Sequence, residues 1–124
     1  MSITVETLTD TKNKIAKLID TFSLALKKKG CGPEVLDLLH RISHYSGEFF
    51  ISAGFFLEKF KIPSIEKHET LKKEFVKELL GFQQRLEKGE SMISFDLYDY
   101  VKNWYEEYLL TIEKEILDYF DNEL

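Results

Sequence analysis

The sequence predicts an all-α fold, four helices arranged as an antiparallel up-down-up-down bundle. Three observations carry that expectation. Apolar residues recur at three- and four-residue spacing in four successive stretches. No stretch alternates with period two for long, and no dipeptide announces a hairpin. Only two prolines and six glycines punctuate 124 residues, which favours a few long elements. Residues 1–124 read as one domain, long enough to bury a sizeable core, and the 44% apolar fraction suits a globular chain.

The first helix is expected over about 8–29, with Leu8, Ile15, Leu18, Ile19, Phe22, Leu24 and Leu26 as its apolar positions. Its stop is Lys27-Lys28-Lys29-Gly30, where cations suit the negative end of the helix dipole. Pro33 fits the first turn of the second helix, expected over 33–61 with Leu39, Ile42, Phe49, Ala53 and Phe56 inward. Pro63 forces the preceding residue out of the helical region and ends it. Ser64 is a candidate N-cap for the third helix, over 64–88, which carries His68, Leu71, Phe75, Leu79, Phe82 and Leu86. Ser91 or Ser94 opens the fourth, over 92–121, with Leu97, Val101, Trp104, Tyr108, Ile112, Ile116 and Tyr119. Helices of this length depend on packing against one another, since propensity alone does not hold them.

Charge and hydropathy narrow the partners. The net charge is −5, and residues 94–124 hold nine acids and two lysines, a local −7 that leaves the rest near +2. Such a face repels phosphate backbones, so no nucleic acid is expected as partner. The longest nearly apolar run, Phe49 to Leu57, is nine residues, about half a membrane span, so no membrane partner is expected. No basic segment leads an apolar one at the N-terminus, and the single cysteine, Cys31, has no internal disulfide partner. Both suggest a cytoplasmic setting.

Ile62-Pro63, His68, Lys72 and Phe75 follow one another at the spacing of an aromatic-Pro, His, His, Phe motif. Tyr45-Ser46-Gly47-Glu48-Phe49-Phe50, Leu86-Glu87-Lys88-Gly89-Glu90 and Asn103-Trp104 add three further anchors. Together they resemble bacterial hemerythrins over nearly the whole chain, from about Leu8 to Tyr119. That resemblance implies a four-helix bundle whose family holds two irons through five histidines and two bridging carboxylates. Position by position, the first-helix histidine falls on Lys12, the second-helix histidine on Phe49 and the bridging glutamate on Ala53. The third helix keeps His68, while its second histidine has become Lys72. On the fourth helix the histidine has become Tyr108 and the aspartate Glu113. One imidazole and one carboxylate are too few for a di-iron centre with an open position for dioxygen, so no metal is expected, iron being the alternative.

Lys12, Lys72, His68, Tyr108 and Glu113 would converge in that register, with Glu113 as counter-charge to two ammonium groups. The competing expectation has both lysines extending outward along their stems. All five are acid–base groups, but Phe49, Phe50, Phe55 and Phe56 suggest a filled centre, and no nucleophile elbow, phosphate loop or dinucleotide fingerprint is present. An enzyme is therefore not expected. His40, His44 and Glu48 share one row of the second helix and form a weak alternative metal site, lacking the four ligands of a structural zinc. An exposed polar flank is the simpler reading.

The expected role is a non-enzymatic interaction or regulatory module, with protein partners or self-association. The expected surface is the acidic, tyrosine-bearing fourth helix, at Tyr98, Tyr105, Glu106 and Glu107. The resemblance also leaves room for a sensor or carrier with a modified oxygen or metal site, and, behind that, for an enzyme using the polar centre.

Overall fold

A computed structural model describes residues 4–28, 32–90 and 92–123. Lys29, Gly30, Cys31 and Ser91 lie outside the described residues. Among those described, the chain is all-helical: α1 (Val5–Leu26), α2 (Gly32–Lys59), α3 (Ile65–Glu87), and a fourth helix made of α4 (Ile93–Trp104), a π turn (Tyr105–Leu109) and α5 (Leu110–Glu123). Each helix packs on its neighbour in the chain, and α4 and α5 close back onto α1 and α2. Fully buried Leu8, Ile15, Phe22, Leu39, Ile42 and Leu57 are part of one continuous core.

The helix ends show how short-range chemistry sets the boundaries. Helix α1 begins three residues earlier than its apolar pattern suggests, because Thr4 and Thr7 cap it reciprocally. Thr4 Oγ1 accepts from the Thr7 N–H at 3.2 Å, and Thr7 Oγ1 accepts from the Thr4 N–H at 3.4 Å. It also ends early, at Leu26, so Lys27 and Lys28 lie beyond its last turn, and Leu24 is 60% exposed, not inward. Ser64 occupies the N-cap position of α3 but makes no cap: its hydroxyl donates instead to Glu115 Oε1 at 2.7 Å. Ser94 does not open the fourth helix; it lies inside α4, buried, with Met92 at the N-cap.

Helices α2 and α3 end alike. Gly89 (φ 87°) ends α3, with its N–H bonded to the Leu86 carbonyl and the Glu90 N–H to that of Arg85. In the turn after α2 the Lys61 N–H bonds to Glu58 and the Ile62 N–H to Leu57, while Ile62 is buried. Lys61, however, carries φ 52°, a left-handed conformation that strains a side-chain-bearing residue. Replacing Lys61 with glycine is therefore expected to raise the unfolding free energy by about 1 kcal/mol, read as a higher urea midpoint with unchanged slope.

The π turn has no counterpart in the sequence expectation of one regular helix over 92–121. The Leu110 N–H bonds back five residues, to the Tyr105 carbonyl. Tyr108 and Glu113, five apart, would stand about 140° from each other around a regular helix. One additional residue in the turn removes about 100° of that, so both can face the interior.

Candidate functional site

The polar residues of the interior form two pairs, not one cluster. Lys12 on α1 donates to Glu113 Oε1 on α5 at 3.1 Å, with side chains 20% and 9% exposed. The His68 imidazole, 1% exposed, is hydrogen-bonded through Nδ1 to the Tyr108 hydroxyl, and the two rings lie 16° from parallel. His68 is the first buried residue of α3, one turn beyond the Pro63 break, and Phe50 meets its ring edge-on at 6.0 Å. Phe49 and Ala53 are wholly buried hydrocarbon. Lys72 is half-buried and takes part in no ion pair among the described residues, so Glu113 has one ammonium partner, not the two expected.

Two buried polar atoms remain without a hydrogen-bond partner among the described residues: His68 Nε2 and Glu113 Oε2. Burial is the largest influence on His68 and lowers its pKa, with Lys72 adding to the effect and Glu69 and Glu115 opposing it. Burial, followed by the Glu69 carboxylate, raises the Tyr108 phenol well above its usual range. The pair is thus neutral in the folded protein near neutral pH.

That neutrality has a consequence for stability. Unfolded, His68 regains its ordinary pKa of 6.5, so below that value the unfolded chain binds more protons than the folded one. Stability is present above pH 6.5 and is lost as pH falls from there toward the lowered folded value, by at most about 1.4 kcal/mol per pH unit. Urea titrations from pH 7.5 down to 5.5 are expected to show the loss in the wild-type chain and a flatter profile in His68→Phe.

A cavity of about 290 Å³ opens beside this pair, between the start of α3 and the fourth helix. Ser64, Lys67, His68 and Leu71 form one wall, and Glu107, Tyr108, Thr111, Ile112 and Glu115 the other. The expectation of a filled centre therefore needs correction on this side. Phe49, Phe50 and Phe56 do fill the interior, but Phe55 is 41% exposed and blocks nothing. Residues 64–71 and 107–115 are far apart in sequence and belong to different helices, and no local motif marks their meeting.

No family model, curated protein or solved structure matches the chain.

The remaining candidates are placed at the surface or its edge. His40, His44 and Glu48 are exposed, with His44 Nε2 3.1 Å from Glu48 Oε1. Among the described residues no three His, Cys, Asp or Glu side chains are grouped to hold a metal ion. The interior donors do not fit a di-iron group: Lys12 brings a cation, Phe49 and Ala53 bring no donor, and Glu113 already accepts from Lys12. Glu106 and Glu107 are exposed as the interaction surface requires. Its tyrosines are less free. Tyr98 is half-buried with its ring edge-on to Phe22 at 5.5 Å, and Tyr105 is half-buried, its phenol pKa raised by burial first and by Glu113, against Lys12. Tyr100, Tyr108 and Tyr119 are half-buried too, so none of these five is a fully exposed aromatic. Among the described residues no helix is long and apolar enough to cross a membrane.

Proposed function

We propose that this chain is a hemerythrin-like, antiparallel up-down-up-down bundle in which side-chain pairing has replaced the di-iron centre. It acts as a cytoplasmic, non-enzymatic interaction or regulatory module. The observation that carries the reading is the Lys12–Glu113 ion pair. It joins α1 to α5 at two positions where the resemblance puts metal ligands, so a cross-helix tie is kept with an ammonium in place of a metal cation. His68 and Tyr108 tie α3 to the fourth helix in the same manner. Interactions run through the acidic outer face of the fourth helix, around Glu106 and Glu107, with a protein carrying a basic surface or with a second copy.

Elemental analysis with a visible absorption spectrum in air tests the metal half of the reading. A colourless protein with far less than one iron per chain is the expected result. Two irons per chain with a charge-transfer band would sink it and favour an oxygen-binding sensor or carrier with a modified site. Charge reversal at Glu106 and Glu107 tests the other half, and is expected to abolish or invert the salt-dependent association seen by light scattering or affinity capture.

A further inference from the structure

The cavity beside His68 and Tyr108 has its own chemistry, beyond any role of the outer helix face. At about 290 Å³ it lies at the small end of ligand pockets and holds about ten water-sized groups. Leu71 and Ile112 give it an apolar lining, and Thr111 stands exposed beside them. Its charged groups are the carboxylates of Glu107 and Glu115 and the ammonium of Lys67. The Glu115 carboxylate is held in place by the Ser64 hydroxyl, which donates to Oε1 at 2.7 Å. His68 contributes a buried imidazole whose Nε2 has no partner among the described residues. With Nδ1–H donated to the Tyr108 oxygen, Nε2 keeps a lone pair, the complement of an N–H donor.

We propose that this cavity binds a small primary ammonium compound with an apolar body, its charged end held by Glu107 and Glu115 and its body along Leu71 and Ile112. An anion would face two carboxylates and a neutral imidazole on a segment of net charge −7, with only the exposed Lys67 to attract it. A metal ion would find too few ligands, since no group of three donors is assembled among the described residues. An ammonium satisfies the carboxylates through charge-assisted hydrogen bonds, and the leucine and isoleucine walls select for a hydrocarbon attached to it. The inference rests on the cavity and is independent of iron content, which bears only on the preceding reading.

The test is a titration of the full chain, followed by amide ¹H–¹⁵N correlation spectra, with benzylammonium, benzoate and benzyl alcohol near neutral pH. Benzylammonium is expected to give saturable shifts at Leu71, Thr111 and Ile112, and benzoate none at equal concentration. Glu115→Gln is expected to weaken benzylammonium roughly tenfold, as loss of one charge-assisted contact does. Thr111→Phe places bulk at an exposed position of the cavity mouth, leaves the fold intact, and is expected to abolish the shifts. The proposal is overturned if benzoate or benzyl alcohol binds as well as benzylammonium. It is also overturned if benzylammonium leaves these amides unmoved up to about 20 mM, or if the shifts survive in Thr111→Phe.

Discussion

Phe75→Ala is expected to cost about 3–5 kcal/mol of unfolding free energy, a large share of what a domain of this size commands. Phe75 is 1% exposed, and its ring stacks on Trp104 with centroids 3.9 Å apart and planes 19° from parallel. Phe50 meets it edge-on at 5.8 Å, and Tyr100 lies parallel at 6.0 Å. The deletion therefore removes a bridge between α2, α3 and α4 and leaves a cavity walled by rigid rings that cannot close in. Denaturant unfolding measures the loss. Trp104, the single tryptophan, supplies an independent probe, since its emission should shift as its stacking partner disappears. A loss below about 1 kcal/mol would show that these aromatics repack freely and do not fix the relation of α3 to α4.

Lys12→Met is the second large effect. It leaves Glu113, 7% exposed, without the ammonium that its Oε1 accepts from, while Oε2 has no partner at all among the described residues. Breaking a fully buried pair costs about 3–5 kcal/mol; with the Lys12 side chain 20% exposed and solvent able to reach it, about 2 kcal/mol is expected. The double variant Lys12→Met with Glu113→Leu should recover most of that loss, because hydrocarbon then replaces both charges. A double-mutant cycle in urea gives the coupling directly. A neutral Lys12→Met would mean that the pair holds nothing together, and the proposed substitute for a metal tie would fail with it.

The four helices were legible because long, sparsely interrupted periodic stretches admit few other folds. Phe49, Ala53, His68 and Phe75 are buried where the period puts them. The pairing pattern inside was not legible. Lys12 and Lys72 look equivalent as lysines on inward registers, yet only the first has a carboxylate within reach, which depends on where α5 stands relative to α1. Short caps were missed for a different reason. Thr4-x-x-Thr7 lacks the usual acidic or amide residue at its fourth position, but a second hydroxyl closes the same reciprocal bonds. Ser64 had every property of a cap and spends its hydroxyl on Glu115 instead, a choice set by a residue 51 positions away. One signal of the π turn was present in the sequence: two inward positions five residues apart on a regular helix conflict, and an inserted residue resolves the conflict.

That insertion sets the phase of everything after it. Excising a single residue between Tyr105 and Leu109 would let an unbroken α-helix run through, and the 14 residues of α5 would roll by about 100° as a block. Glu113 would swing away from Lys12, and Ile116 would leave the interior together with it. In most helices a one-residue deletion simply shortens or breaks the element. Here it acts as a dial, exchanging the whole inward face of the terminal segment in one step while leaving each of its residues unchanged. Sequence change at this point of the chain is therefore read out as rotation, and relatives that differ by one residue in this turn would present different chemistry to the same interior.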